Sequence, residues 1–216
     1  MYSLEMPQKN SIKSFSPHQY YHVYNRGVAK QNIFGDTSDK DYLLKLFERY
    51  LSENDDKIEK ITAKKFVDEI EINAYCFMNN HFHLLIWLEK DTKAIPLFMK
   101  SVFTSYTMYF NKKYNRVGPL FQSRYKASRI TNDPYLIHIS RYIHLNPMKL
   151  YKKYKYSSYQ TYIGKNTQSW IKPERITSLM NSERYEEFVG NYFEYVKDTF
   201  NPDIAPVDKY TEKERP

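Results

Sequence analysis

Cysteine occurs once, at Cys76, which excludes an intramolecular disulfide and any zinc site built on several thiolates. A lone thiol suits a reducing, cytoplasmic setting. Glycine is scarce, five in 216 residues. No apolar run approaches the roughly 18 residues that a membrane span needs. The opening stretch, MYSLEMPQKNSIKSFSP, lacks the apolar core of a secretory signal, so none is expected. Acidic residues are nearly missing from one long segment. Between Lys100 and Tyr156, Asp133 is the single carboxylate, against twelve Lys and Arg.

That segment carries +11, while the whole chain is +8, so the remainder is about −3. It also holds nine tyrosines and three phenylalanines, in a chain with 22 and 13. Cations interleaved with rings suit single-stranded nucleic acid, whose phosphates need neutralising and whose bases offer π faces. The plainer reading is a solvated basic face on an aromatic-rich domain. Hydrophobic residues at 41% and charged residues at 27% are those of a globular chain.

Periodicity divides the chain. Residues 1–17 read as a flexible lead-in, 18–150 as the main domain, 151–200 as a basic loop and helical extension, and 201–216 as a polar tail. YYHVYNRG, 20–27, reads as a strand ending in a turn at Asn25-Arg26-Gly27. SDKDYLLKLFERYLSEN has a helical stripe at Leu43, Leu46, Phe47, Tyr50 and Leu51, with Ser38 as the N-cap candidate. Residues 52–68 are highly charged and read as an insertion. In IEINAYCFM, alternation places Ile70, Ile72, Ala74, Cys76 and Met78 on one face. Asn79-Asn80 is a two-residue turn candidate, and HFHLLIWLE is the return strand of a hairpin. IPLFMKSVFTSYTMYFNKKY is a second helix, GPLFQSRYKASRI (118–130) a basic strand, and NDPYLIHISRYIHLNP a third helix capped by Asp133. YKKYKYSSYQTY reads as a loop and SERYEEFVGNYFEYV as a final helix. The order β-α-β-β-α-β implies an α+β fold. It is the split βαβ, ferredoxin or RRM-like antiparallel sheet, with helices on one face, an extra C-terminal helix and the other face free for substrate.

His81 and His83 are two residues apart on a strand, so both imidazoles leave the same face about 7 Å apart along the chain. Phe82 between them points to the core. Such a pair can converge on one divalent ion, with oxygens completing the shell of Mg2+ or Mn2+. It is also what two incidental hairpin histidines would look like. The third helix offers Tyr142, with Asn146 one turn later on the same face. A phenol can act as a covalent nucleophile. Composition alone does not choose Tyr142 over Tyr109 or Tyr135.

The segments YHVYNRG, NAYCFMNNHFHLLI, YFNKKYNRVGPLFQSRYKASRI, YLIHISRYIHLNP and YSSYQTY resemble, in this order, those of single-tyrosine HUH transposases. The REP-associated tyrosine transposases are the nearest branch, and the resemblance spans roughly residues 18–163. It implies that His81 and His83 of HFH are metal ligands and that Tyr142 of RYIHLNP is the catalytic tyrosine. Asn146 stands where mobile members carry a Gln third ligand, and Asn79 where many members have Pro. The implied activity is metal-dependent nicking and rejoining of single-stranded DNA through a 5′-phosphotyrosine, on hairpin or palindromic repeats, with Mg2+ or Mn2+. A cytoplasmic, nucleoid-associated monomer or homodimer would follow. Arg26, Arg124, Lys126 and Arg129 are the candidate phosphate contacts, and Phe121 and Tyr125 the candidate stacking rings. His138 and His144 read as local hydrogen-bonding partners or DNA contacts. The competing classes are a non-catalytic binder on an RRM-like sheet and a metal-dependent RNase without a covalent step.

Overall fold

The alternating apolar runs pair as antiparallel strands. The computed structural model describes residues 14–53, 64–180 and 184–198. Its elements are β1 (Gln19–Arg26), α1 (Thr37–Leu51), β2 (Ile70–Phe77), β3 (His81–Leu88), α2 (Ala94–Lys113), β4 (Lys126–Ile130), α3 (Asp133–Leu145), α4 (Tyr159–Tyr162), α5 (Glu174–Thr177) and α6 (Tyr185–Val196). The sheet order is β2-β3-β1-β4, with every neighbouring pair antiparallel. This is the α+β, split βαβ sheet expected from the element order. The expected charged insertion falls largely on residues 54–63, outside the described residues. Among the described residues no helix is long and apolar enough to cross a membrane.

One face of the sheet presents Tyr21, Val23, Phe82, Leu84 and Ile86 to α1 and α2, which supply Leu43, Phe47, Phe98, Val102 and Tyr106. Phe82 stacks on Phe103 at 4.4 Å, so the ring between the two histidines anchors the strand as expected. A buried carboxylate ties the two helices together. Asp39 Oδ1 accepts from Lys113 Nζ at 2.7 Å and Tyr109 Oη at 3.0 Å, and Oδ2 accepts from Tyr114 Oη at 2.8 Å.

The second face is not open, which corrects the expectation of a free face. Ala74, Cys76 and Leu85 pack there against Leu136, Ile139, Tyr142 and Ile143 of α3. Strict alternation along β2 also fails. A register shift between Ile72 and Ala74 turns Ile72, Tyr75 and Phe77 to one core and Ala74 and Cys76 to the other. The bulge residue Asn73 donates through Nδ2 to the Lys172 carbonyl, and its own carbonyl accepts from Tyr162 Oη. These partners lie 99 and 89 positions downstream, so a parity rule over a short window misses the shift.

Three local expectations are corrected by cap and strand geometry. Asp36, not Ser38, caps α1, in a reciprocal capping box with Asp39. Asn132, not Asp133, caps α3, its side chain accepting from Tyr135 N. The basic strand is confined to Lys126–Ile130, and residues 118–125 meet β1 by an isolated bridge, Gly27 to Phe121, and by the Asn25 amide, which donates to the Ser123 carbonyl. The tyrosine-rich segment beyond 150 is ordered on the sheet edge and is no free loop. Phe77 N donates to the Tyr156 carbonyl and Ser158 N to the Tyr75 carbonyl, covering the open edge of β2.

Gly27 closes β1 against the hairpin turn, donating its N–H to the Asn80 carbonyl at 2.8 Å. A Cβ there would lie 2.1 Å from the Gln31 carbonyl oxygen, a backbone atom that yields only if the loop moves. Gly27→Ala is therefore expected to destabilise by about 1–3 kcal/mol, read from the urea midpoint. An unchanged midpoint would show that this loop is free to shift.

Candidate active site

β3 begins at His81, directly after the Asn79-Asn80 turn, and strand parity turns His81 and His83 toward α3. Pairing with β1 sets His83 opposite Tyr24 and His81 opposite Arg26. Both histidines are buried. Their rings lie 5.2 Å apart at a steep angle.

Tyr142 comes down onto this pair from α3. Its ring meets His83 edge-on at 5.5 Å and His22 at 6.2 Å. The two other candidate tyrosines are placed elsewhere. Tyr109 is on α2 and donates to Asp39, while Tyr135 sits two turns before Tyr142 at the start of α3. Asn146, the C-cap of α3, donates through Nδ2 to the Tyr142 carbonyl at 3.0 Å. That bond settles the orientation of the amide, so Oδ1 faces His81 Nε2 at 3.1 Å.

The position of α3 follows from contacts at its other faces. His144 Nδ1 lies 2.7 Å from Tyr185 Oη, and Nε2 lies 2.7 Å from Ser158 Oγ. Ser158 Oγ in turn accepts from Tyr75 N on β2. The Arg141 guanidinium bonds His138 Nδ1 at 3.0 Å and lies 3.8 Å from the Tyr192 ring centre. His138 and His144 are thus local hydrogen-bonding partners that lock α3 between the sheet and α6. Burial lowers His144 to about 3 and, with Arg141 nearby, His138 to about 4.

The polar atoms around the histidine pair fit a cation. His81 Nδ1 lies 2.6 Å from Asn80 Oδ1, and His81 Nε2 faces Asn146 Oδ1, so both ring nitrogens look at amide oxygens. A neutral imidazole has one hydrogen and can satisfy one of them. His83 Nε2 is buried without a hydrogen-bond partner. Neighbouring ligands of a small octahedral ion with bonds of ~2.1 Å stand about 3 Å apart, which the separation of His81 Nε2 and Asn146 Oδ1 matches. Burial, with the neighbouring His22, His81 and Arg26, holds His83 well below the usual histidine range, in the neutral form that can ligate. Among the described residues no group of three His, Cys, Asp or Glu is placed to hold an ion, and the Asn146 amide oxygen is the side-chain donor beside His81 Nε2.

The DNA-contact candidates separate by face. Arg26 and Lys126 share the face of the histidines, and Lys126 Nζ lies 5.9 Å from the centre of the Tyr24 ring. Arg129 pairs with Tyr21 and so belongs to the opposite face, where it is exposed. Arg124 is exposed on the segment before β4. Phe121 packs on Phe82 and Phe103, and Tyr125 packs on the same core, where burial pushes its phenol up to about 12. The two candidate stacking rings are thus half-buried against the helix-side core. Tyr24, Asn80 and His22 also lie against the histidine pair, and sequence reasoning did not single them out. Alternation along β1 at 22, 24 and 26 was the available signal, but it acquires meaning only with the β1–β3 register.

Among curated proteins, none matches this sequence. One solved structure, that of a REP-associated tyrosine transposase bound to a REP hairpin, is similar at 14% identity with a TM-score of 0.49. That similarity covers 76% of this chain and 97% of the other. A family model described as "Transposase IS200 like" matches residues 16–146. The match runs from just before β1 to Asn146, and so takes in the four-stranded sheet, the histidine pair and Tyr142. Over more than half its length, this chain belongs to the IS200-like transposase family.

Proposed function

We propose that this protein nicks single-stranded DNA with Tyr142 and rejoins ends through the covalent linkage so formed. The observation that supports this most is the meeting, within one chain, of the Tyr142 ring, the His81–His83 pair and the Asn146 carbonyl oxygen. Tyr142 Oη attacks the scissile phosphorus. The Oη–P bond forms and the P–O3′ bond breaks. The phenolic proton leaves to solvent or a base, and the departing 3′ oxygen takes up a proton. The 5′-phosphotyrosine keeps the phosphodiester energy, so a second 3′-OH can reverse the step and join ends without a nucleotide cofactor.

His81, His83 and Asn146 would hold a Mg2+ or Mn2+ ion. When bound, the ion polarises the phosphate and offsets charge developing on it. Asn146 also ties the end of α3 to the site, because its amide bonds the Tyr142 carbonyl. Arg26 and Lys126 flank the site on the same face and would hold the phosphates on either side of the scissile bond. Tyr24 beneath Lys126 offers a ring to a neighbouring base. We read hairpin or palindromic repeats as the substrate, from the resemblance to the REP-associated branch. The work would be done at the nucleoid. One copy holds every site residue, so a monomer acting on its own DNA is the simplest working form.

The test is to incubate the protein with labelled single-stranded hairpins and Mn2+, then seek a denaturation-resistant adduct. Adduct formation is the expected result. Cleavage without adduct would point to the RNase-like class, and binding without cleavage to the RRM-like binder. The face assignment makes a separate prediction. Lys126→Ala should lower the slope of log K against log salt by about 0.7, the loss of one phosphate contact with a single strand. Arg129→Ala should leave it unchanged. Equal losses from both would remove the distinction between faces.

A further inference from the structure

His22 is fully buried on β1, and no role has been given to it so far. Its Nε2 lies 2.9 Å from His83 Nδ1, and the two rings lie edge to edge, their centres 5.1 Å apart and their planes within 18° of each other. One hydrogen fits between nitrogens at that distance, so one ring donates and the other accepts. The two arrangements differ at the far ends of the rings. If His83 Nδ1 donates, His83 Nε2 keeps a lone pair directed into the site. If His22 Nε2 donates, the neutral His83 carries its hydrogen on Nε2 and cannot ligate.

Both far nitrogens, His83 Nε2 and His22 Nδ1, are buried without hydrogen-bond partners. Each arrangement therefore leaves one N–H and one lone pair unsatisfied, a rare and costly condition in a folded chain. A cation at His83 Nε2 removes the balance, since it satisfies a lone pair and repels a hydrogen. We propose that His22 is the positioning residue of the metal centre. By accepting from His83 Nδ1–H it holds His83 in the tautomer and ring orientation that present Nε2 to the ion.

Ligand histidines are commonly oriented by a carboxylate or a carbonyl. An imidazole in that place adds no negative charge. The ligand set is then two imidazoles and an amide, all neutral, backed by a neutral ring. The full charge of the ion stays available to a phosphodiester. The inference rests on the reading of His81, His83 and Asn146 as ligands.

The experiment is a Mn2+ titration of the metal-free full-length protein, followed by electron paramagnetic resonance without DNA. Wild-type protein should bind saturably, and His83→Ala should not. His22→Phe keeps the ring shape without the acceptor and should lower Mn2+ affinity by about 10- to 100-fold. His22→Gln places an oxygen near the position of Nε2 and should restore most of the affinity. Hairpin binding without metal should be unchanged in both variants. If wild type binds no Mn2+, the ligand reading and this inference fall together. If His83→Ala loses Mn2+ while His22→Phe binds like wild type, the inference alone falls. Equal losses in Phe and Gln variants would make His22 a packing residue and also overturn it. Should His22→Phe not fold, long-range 15N–1H spectra of wild type with Mg2+ read the tautomer directly. A hydrogen on His83 Nδ1 supports the assignment, and one on Nε2 overturns it.

Discussion

Tyr142→Phe is expected to reduce the covalent protein–DNA adduct by about four to six orders of magnitude, the scale seen when a nucleophile is removed. The substitution deletes one oxygen and keeps the ring. The edge-on contacts with His83 and His22 use the ring, which the substitution keeps. Hairpin binding should be retained, and the urea midpoint read beside it separates a chemical loss from a folding loss. An adduct still formed by Tyr142→Phe would assign the nucleophile to another side chain. A mixing experiment sharpens the point. Tyr142→Phe and His83→Ala each lack half of the site, and the mixture should not recover the adduct. The reason is that α3 is held by its own chain, through His144 to Ser158 and Tyr185 and through Arg141 to Tyr192. Recovery would show that α3 is exchanged between copies in solution.

His81→Ala and His83→Ala form the second large prediction. Each should lower divalent-ion-dependent cleavage by about a thousandfold or more, since ionic stabilisation of a phosphoryl transition state is worth several kcal/mol. A readout free of catalysis accompanies it. Millimolar Mn2+ should raise the unfolding midpoint of wild type, because a ligand that binds only the native state stabilises it by mass action. Neither variant should respond. A Mn2+ shift that persisted in both would place the ion elsewhere. Asn146→Ala should act in the same direction and additionally loosen the end of α3, because its amide also bonds the Tyr142 carbonyl.

Several parts of this arrangement were legible in the chain itself. The histidines share a face because a strand alternates sides at every residue, so His81 and His83 must agree whatever surrounds them. Phe82 must then point the other way, and it does, onto Phe103. Tyr142 and Asn146 fall on one side of α3 for the same kind of reason, four residues being about one helical turn. The order of the elements was enough to imply the split βαβ sheet. All of these depend on periodicities that span a few residues.

The remainder required long-range packing. The resemblance pointed to Tyr142, but that its ring meets His83 depended on which helix lies over β2 and β3, and α3 reaches that face by contacts with Ser158 and Tyr185. The bulge at Asn73 arose from partners near residues 162 and 172. His22 met His83 only through strand pairing across 61 positions. Phe121 and Tyr125 are half-buried because Phe82, Phe103 and the core beside them pack on one side of each ring. The sequence by itself determined which side chains share a face within each element, because that is settled by local backbone geometry. Only the tertiary structure decided which faces meet. That choice is made by the burial of whole surfaces, and the short spacing of a motif does not carry it.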